Sequence, residues 1–525
     1  MPTAQTTEPE LLTLEQPKLP PFKSLLWMPV QHSDPDLYDF YKARGFAPIW
    51  SGPIGAERRA AFKQAILMAT EYGLPPQIPS RVLDEYDQIN PSHEIKISRM
   101  LIKFAQQAKY GALTPAQVDP EIKRTIPQLL AGDVLGPFIS SPADEYFAAL
   151  HPQTDEFARL LVEKRQIERH LKAHFTPPLV PETILRPGDN GDDVRLLRAS
   201  LAMNGYAVDR FNPTYDEALT LLVSQIQSDH GLNPDGAFGP ATAALFNRPL
   251  HEKWQAIMVA LERARWNNRP KPPRYITVNL ADFRMRVIKD GQIDFETRAV
   301  IGANLKTHRS PEFSDEMEYI VINPIWNVPR QITVDEYLPK FQEDPTAEPQ
   351  LVLFTQEGEA VPRESVDFTT FDKRNFPFLL KELPSDSNAL GVVKFLFPNP
   401  YNIYMHDTPS KSLFGRDKRD FSHGCIRLQR PEDFALYLMQ DLSDDPKSMF
   451  DRLRAKPGES YLKLDPGIEV HLTYRTAVVE PGGRVTYRND VYGRDAKIWA
   501  ALERAGVAPN HGQTVQSVQL NAQND

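Results

Sequence analysis

The chain contains a single cysteine, and the residues around it indicate a nucleophilic thiol. Cys425 lies in the segment Phe421–Arg427, which reads Phe-Ser-His-Gly-Cys-Ile-Arg, downstream of the pair His406-Asp407. A disulfide needs two cysteines and a structural zinc site usually needs several, so a lone thiol beside histidines is first interpreted as a nucleophile. A thiol with a pKa of about 8.5 is mostly protonated at neutral pH. Attack on an amide therefore requires a neighbouring imidazole that takes the thiol proton.

Two histidines are candidates for this base. Strand alternation over residues 403–406 puts Tyr404 and His406 on one face, which we expect to point into a cleft. The fifteen residues between His406 and Ser422 are enough for a loop that returns Cys425 to the imidazole. His423 is only two residues from Cys425 and would share its face on an extended segment. Spacing alone does not choose between the two.

Gly424 lets the backbone approach a substrate, and the amides near Gly424 and Cys425 are candidates for an oxyanion hole.

Other interpretations of the same residues are weaker. His406, His423 and Cys425 could instead ligate zinc, but the chain lacks a CxxC or HExxH element, so we predict no metal site. A lone cysteine is often an inert buried residue, and the Ser-His-Gly-Cys context argues against that here.

The length and composition predict several domains and exclude some partners. A chain of 525 residues exceeds one hydrophobic core. The net charge of -9 and the scattered basic residues argue against nucleic acid as a partner. No apolar run is long enough for a membrane span. The N-terminus lacks a secretory signal, so we expect either that a signal has been removed or that this start is not the native one. We expect a flexible segment at residues 1–33 and a disordered tail at residues 507–525.

The first half of the chain has helical periodicity. Residues 34–180 are expected to form a helical scaffold domain. Residues 181–249 predict a small three-helix module, with one helix presenting Val194, Leu197 and Leu201 on one face. We expect its second helix to begin with a capping box at Thr214–Glu217 and its third to begin at Pro240.

The second half is predicted to be mainly β-structure. A linker helix at 250–273 precedes a β-rich domain at 274–478, and residues 479–506 are expected to form a hairpin and a helix. An insertion at 331–390 interrupts this domain and is expected to start with a helix capped at Thr333–Glu336. An insertion of this length in a β domain is more often a functional lid than a structureless loop.

Two parts of the chain resemble known cell-wall protein families. The short sequence motifs of the three-helix module resemble those of the peptidoglycan-binding repeat, with Ile226-Gln227 where that family usually shows Phe-Gln. His406, the gap before Ser422, and the Ser-His-Gly-Cys element resemble the signature of the L,D-transpeptidase (YkuD-type) catalytic domain. The segments Asn323–Pro329, Asn388–Gly391 and Leu413-Phe414 are similar to its large, scaffold-bearing YcbB-like branch. The resemblance implies a multidomain α+β protein: a helical scaffold, a peptidoglycan-binding module, and a β-rich catalytic domain with an inserted capping subdomain.

The resemblance also implies roles for site residues. Cys425 would be the nucleophile and His406 the base, with His423 supporting the geometry. Gly424 and Ser422 would support the oxyanion, and the Asp407 backbone carbonyl would orient the His406 ring. The residues implied to bind substrate are Tyr404, Arg427 and Trp326.

The implied activity is the formation of 3-3 peptidoglycan cross-links through a thioester from a tetrapeptide donor stem. No cofactor is implied. The implied partners are stem peptides and glycan strands in the periplasm, with carbapenem-type β-lactams as covalent inhibitors. Alternatives are L,D-carboxypeptidase activity, transfer to another amine acceptor such as a lipoprotein, and a non-catalytic murein-binding scaffold.

One segment departs from the family pattern. Members commonly show Gln-x-Pro-Gly before the Asn-x-Leu-Gly element, whereas this chain has Glu382-Leu383-Pro384-Ser385. Loss of the glycine is expected to change a turn that needs positive φ. The glutamate would place a carboxyl group near the cleft in place of a neutral amide.

Overall fold

The computed structural model describes residues 28–77, 81–84, 91–176, 179–180 and 182–508. The chain divides into two compact units, of which the first comprises residues up to Ala112 together with Pro127–Pro152, and the second comprises Leu113–Ile126 and Gln153 onwards. No described helix combines the length and apolar character that crossing a bilayer requires. Most of the predicted segment 1–33 and all but two residues of the predicted tail lie outside the described residues. Met28–Ser33, at the end of that segment, form a helix in which Val30 is buried.

The first unit is helical. Its α-helices are α1 Met28–Ser33, α2 Pro35–Ala43, α3 Gly52–Leu67, α4 Pro91–Tyr110, α6 Ala131–Ser140 and α7 Ala143–Ala149, with 3₁₀ turns at Ala69–Tyr72 and Arg81–Leu83. The 3₁₀ turn ends after Tyr72, where Gly73 adopts a left-handed φ of +73°. Helix α4 has an apolar face on which Ile97, Leu101 and Phe104 are buried in the core, in agreement with the predicted helical periodicity.

The second unit begins with the remaining helices. These are α5 Pro115–Val118, α8 Asp155–Lys172, α9 Asp192–Met203, α10 Glu217–Asp229, α11 Pro240–Asn247 and α12 Leu250–Trp266. Helices α9, α10 and α11 share a core that contains Val194, Leu197 and Leu201, as predicted. The predicted capping box at Thr214–Glu217 is wrong. Asp216 caps α10 by accepting a hydrogen bond from the Leu219 amide at 2.8 Å, because an aspartate one residue before the helix reaches that donor directly.

A closed sheet forms the core of the β-rich domain. Its strands are β1 Arg274–Asn279, β2 Arg284–Lys289, β3 Gln292–Gly302, β4 Phe313–Ile322, β9 Val393–Leu396, β10 Met405–His406, β11 Asp420–Ser422, β12 Ile426–Leu428 and β13 Ser460–Thr473. Their order is β11-β3-β12-β10-β9-β4-β13-β1-β2, and β2 also pairs with β3, which closes eight strands into a ring. Strands β2 and β3 are antiparallel and are joined by a tight turn at Asp290-Gly291, and β1 pairs antiparallel with β2. Helices α15 Pro431–Met439 and α16 Pro446–Arg454 contribute to the same core.

The insertion has a sheet and a core of its own. Strands β5 Trp326–Asn327, β8 Leu379–Glu382, β6 Leu351–Phe354 and β7 Ala360–Val361 form the sheet in that order. Its helical segment comprises α13 Arg330–Ile332, a π-helical turn Thr333–Tyr337 and α14 Leu338–Glu343. The predicted cap at Thr333 is therefore wrong, because Thr333 lies inside the helical run and its hydroxyl donates to the Pro329 carbonyl at 3.2 Å.

The chain after the closed sheet packs back onto earlier elements. The predicted hairpin is present as β14 Ala477–Val479 and β15 Val485–Tyr487, followed by α17 Arg494–Arg504. Arg263 of α12 donates to Glu312 at 2.7 Å and to Asp495 of α17 at 2.9 Å, and all three side chains are buried. This buried ion network joins the linker helix, the start of β4 and the C-terminal helix.

Candidate active site

Two short parallel strands position the candidate pair. Strands β10 and β12 align Met405 with Ile426 and His406 with Arg427. Met405 and Ile426 are fully buried in the core of the closed sheet. Because successive side chains on a strand alternate in direction, the residues next to them point away from that core. The face so formed carries Tyr404, His406, Cys425 and Arg427.

The Cys425 thiol is half-buried and lies among hydrogen-bonding groups. Its sulfur is 3.5 Å from the Asn402 carbonyl, the Tyr404 hydroxyl donates to it, and the Trp326 side chain in turn donates to Tyr404. Burial raises the pKa of Cys425 to about 11, and hydrogen bonds from Tyr404 and the charge of Arg427 oppose that rise. The thiol is therefore protonated in the resting protein. The thiol donates to the Asn402 carbonyl and accepts from Tyr404, rather than pairing with an imidazole.

The His406 ring is held in one orientation. It is 4% exposed, and its Nδ1 lies 2.5 Å from the Asp407 backbone carbonyl. A carbonyl oxygen only accepts, so the ring proton is on Nδ1 and the lone pair is on Nε2. Burial lowers the pKa of His406 to about 3, and the charge of Arg427 lowers it further, while the Asp407 hydrogen bond opposes both effects. The imidazole is neutral at pH 7 and able to accept a proton.

The Asp407 side chain fixes the backbone that holds this ring. Its carboxylate accepts hydrogen bonds from the Val392 amide at 2.9 Å and the Thr408 amide at 2.6 Å, and it pairs with Lys411. Gly391 makes this approach possible. A Cβ atom on Gly391 would lie 2.1 Å from Asp407 Oδ2, and its φ is +59°. The Asn388–Gly391 segment thus helps to orient the His406 ring, because it leaves room for the Asp407 side chain that fixes the adjoining backbone.

The Glu382–Ser385 departure is accommodated without strain. Asn388 donates to the carbonyls of Glu382 at 3.1 Å and Leu383 at 3.0 Å. The Glu382 carboxylate accepts from the Ala389 amide at 3.0 Å, and burial raises its pKa. Ser385 does not adopt a positive φ, so the turn in this chain does not need a glycine there. The glutamate is 4% exposed and bonds to backbone within the insertion.

The loop before Cys425 has an internal hydrogen-bond arrangement. Ser422 donates to the Cys425 carbonyl at 2.6 Å and accepts from the Gly424 amide at 3.2 Å. Gly424 has a φ of +116°, a left-handed value that favours glycine. The Gly424 amide is thus engaged with Ser422. Within the described part of the chain, the Cys425 amide has no protein acceptor and is the donor available to an oxyanion.

Several residues that hold this loop were not identified from the sequence. Ser310 donates to the Gly424 carbonyl at 2.6 Å and accepts from the Gly302 amide at 3.0 Å. Tyr492 donates to the Gly302 carbonyl at 2.5 Å. A Cβ on Gly302 would lie 1.9 Å from the His308 carbonyl, so the backbone packs directly against this position. No local motif marks these residues, because they are far apart in the chain.

His423 faces a different set of residues. Its Nε2 is 2.5 Å from a carboxylate oxygen of Glu336 in the insertion, and its ring lies 4.2 Å from that of His308. Burial and the neighbouring His423 lower the pKa of His308. Of the two candidate bases, His406 shares the sheet face of Cys425, whereas His423 pairs with Glu336. The Arg427 guanidinium lies on the thiol face, and its Nε is buried without a protein partner among the described residues.

Three family models match this chain. Residues 273–458 match the L,D-transpeptidase catalytic domain (YkuD), and residues 35–163 match a scaffold domain. Residues 190–245 match the "Putative peptidoglycan binding domain". Residues 273–458 are an L,D-transpeptidase catalytic domain. The predicted fold class, a helical scaffold with a small peptidoglycan-binding domain and a β-rich L,D-transpeptidase domain, is confirmed.

Similar proteins match over part of their length. A Haemophilus influenzae protein named "Putative L,D-transpeptidase" is 31% identical over 225 residues, which cover 42% of this chain and 45% of that protein. The matched part is thus less than half of that relative. Two solved L,D-transpeptidases are also similar to this chain. The one from Xylanimonas cellulosilytica is 16% identical with a TM-score of 0.17, covering 57% of this chain and 98% of that one. The one from Stackebrandtia nassauensis is 12% identical with a TM-score of 0.23, covering 58% and 100%. Both TM-scores lie below 0.5, so the domain assignment rests on the family models.

Proposed function

We propose that this protein is a murein L,D-transpeptidase that forms 3-3 cross-links through a cysteine thioester. The observation that carries the proposal is the placement of Cys425 and His406 on one face of adjacent parallel strands, with the His406 proton held on Nδ1. That tautomer leaves Nε2 to take the thiol proton. The catalytic-domain and peptidoglycan-binding matches support peptidoglycan as the substrate class.

The first step transfers an acyl group to Cys425. His406 Nε2 takes the thiol proton, and the thiolate attacks the carbonyl between the third residue and D-Ala4 of a tetrapeptide stem. The Cys425 amide donates to the oxyanion, because it is the loop amide that has no other acceptor among the described residues. When the C–N bond breaks, His406 returns the proton to the leaving amine. The products are a thioester and free D-alanine.

The second step transfers the acyl group to an amine. The side-chain amine of a diamino acid on a neighbouring stem attacks the thioester carbonyl after losing a proton to His406. The C–S bond breaks, the thiolate recovers the proton, and a 3-3 peptide bond is formed. Water in place of the amine would give a tripeptide, so exclusion of water by the insertion determines the outcome.

Three further side chains are assigned to the substrate. Arg427 lies on the thiol face, and its buried Nε has no partner in the part of the chain that the structure describes, so we assign this side chain to a stem-peptide carboxylate. Tyr404 and Trp326 line the same face, and Tyr404 also stabilises the thiolate through its hydroxyl. We propose a periplasmic location, where the module at 181–249 would hold glycan strands. Carbapenem-type β-lactams would acylate Cys425.

The perturbed pKa values predict an unusual pH dependence. The resting pair is a neutral thiol with a pKa of about 11 and a neutral imidazole with a pKa of about 3. Neither group of the free enzyme titrates between these values, so kcat/KM for acylation should be constant from about pH 5 to about pH 9. A solvent-exposed histidine base would instead give an inflection near its ordinary pKa of about 6.5. An inflection there that His406→Gln removes would contradict the described environment of this ring.

The deciding experiment is incubation of the full chain with disaccharide-tetrapeptide, followed by mass spectrometry. A cross-linked dimer that has lost one D-alanine is expected, with none from Cys425→Ala. His406→Gln should lower the rate by about 10²–10⁴, the usual contribution of a general base. His423→Gln is the matched control and should retain more activity than His406→Gln. Tripeptide as the only product would indicate a carboxypeptidase. Transfer only to an added amine would indicate another acceptor. The absence of any Cys425-dependent product would favour a non-catalytic murein-binding scaffold.

A further inference from the structure

Three side chains from separate segments converge beside the loop that carries Cys425. His308 lies between β3 and β4, Glu336 lies in the helical segment of the insertion, and His423 lies two residues before the cysteine. One ligand atom from each falls within 4.8 Å of the others. The Glu336 and His423 side chains are 42% and 37% exposed, so an ion can reach them from solvent.

We propose that His308, Glu336 and His423 bind a divalent transition-metal ion of the zinc type. Two imidazole nitrogens and one carboxylate oxygen are a donor set that zinc binds with a further position left for water. Calcium and magnesium prefer oxygen donors alone, so this set selects against them.

The dimensions of the cluster suit such an ion. Zinc bonds of about 2.0–2.2 Å in a tetrahedron place ligand atoms roughly 3.3 Å apart. In the cluster, one pair is at 2.5 Å, and all ligand atoms lie within 4.8 Å of one another. The Glu336 and His423 side chains are partly exposed, and small rotations of them would bring the closest and the most distant ligand atoms to the spacing that zinc needs.

An outer contact is also present for one ligand. Thr307 Oγ1 lies 3.1 Å from His308 Nδ1. With the proton on Nδ1 and donated to this hydroxyl, the lone pair of His308 is on Nε2. Metal-binding histidines ordinarily have their second nitrogen hydrogen-bonded in this way, which fixes the ring.

The ion would connect the insertion to the nucleophile loop. Glu336 is the only ligand from the insertion, whereas His308 and His423 belong to the body of the β-rich domain. A bound ion would therefore restrain the insertion over Cys425 more strongly than the single Glu336–His423 contact. Binding itself does not depend on the proposed transpeptidase activity.

The test is zinc binding by the full chain carrying Cys425→Ser, which removes the thiol as a competing ligand. Zinc is titrated against a chromophoric chelator, and one ion per chain at micromolar concentration or below is expected. Addition of His308→Gln or Glu336→Gln should weaken binding by at least about 100-fold, because loss even of an outer partner costs 10–100-fold. His251→Gln, which changes an exposed histidine on α12, is the matched control and should leave the affinity unchanged.

Two results would overturn the proposal. One is the absence of zinc binding at micromolar zinc in the Cys425→Ser protein. The cluster would then be only a pair between His423 and Glu336 with the His308 ring beside it. The other is equal affinity in the ligand variants and the His251→Gln control. X-ray absorption of the zinc-loaded Cys425→Ser chain gives an answer even if a ligand variant fails to fold. Scattering from two imidazoles is expected, and its absence contradicts the assignment.

Discussion

Removal of the Tyr404 hydroxyl should make the Cys425 thiol less reactive by a calculable amount. The Tyr404 hydroxyl donates to the sulfur and lowers the pKa of the thiol, against a burial effect that raises it to about 11. A hydrogen bond to a charged group contributes about 1.5–3 kcal/mol. At 1.36 kcal/mol per pKa unit, Tyr404→Phe should raise the thiol pKa by about 1–2 units.

The expected change in rate is smaller than the change in thiolate population. The thiolate fraction at a fixed pH falls by about 10–100-fold, but a more basic thiolate is a better nucleophile, with a Brønsted coefficient of about 0.5 in exchange with a disulfide. The greater nucleophilicity of the thiolate therefore offsets about half of the logarithmic loss in thiolate fraction. The rate of reaction with an aromatic disulfide should fall by about 3–10-fold between pH 7 and pH 9.

The chain offers a clean assay for this prediction. Cys425 is the only cysteine, so release of the coloured thiolate reports this residue alone. Tyr401→Phe is the matched control, because Tyr401 lies three residues earlier, is 37% exposed and contacts Phe313 through its ring. Equal rates for Tyr404→Phe and Tyr401→Phe, with both proteins folded by circular dichroism, would refute the role given to the hydroxyl.

Two further substitutions test the supporting structure. Gly391→Ala should lower kcat/KM for acylation by about 100-fold in the disaccharide-tetrapeptide assay, because its Cβ would displace Asp407 and with it the backbone that orients the base. Gly358→Ala has the same left-handed strain but open space around its Cβ, so an equal loss there would attribute the effect to φ alone. Arg263→Met should lower the free energy of unfolding by about 3–5 kcal/mol in urea titrations, because it leaves two buried carboxylates without their main partner. The exposed pair variant Arg195→Met should change that free energy by less than about 0.5 kcal/mol, and a similar value for both would contradict the network's importance.

Local patterns of the chain predicted much of the fold. Helix α4, the hairpin of β2 and β3, and the two-faced segment around Met405 follow from periodicity, turn residues and the contrast between apolar and polar positions. Both errors at helix starts concern capping. The competition between Thr214 and Asp216 for a cap depends on where the preceding loop places each side chain, and that placement is not a local property.

The surroundings of the candidate site were harder to predict. Tyr404 was assigned to the substrate from its position on the His406 face, but its contact with the sulfur depends on the parallel pairing of β10 and β12. Ser310 and Gly302 support the Cys425 loop across more than a hundred residues of chain. Such contacts between distant segments leave no spacing in the sequence that could identify them.

Burial of the single thiol also bears on its reactivity with oxidants. With a pKa of about 11, only about one molecule in 10⁴ carries a thiolate at pH 7. Peroxide and other oxidants react with the thiolate, so the resting protein is a poor target for conversion to sulfenic or sulfonic acid. The same burial that slows the unassisted nucleophile therefore also protects the thiol from oxidation.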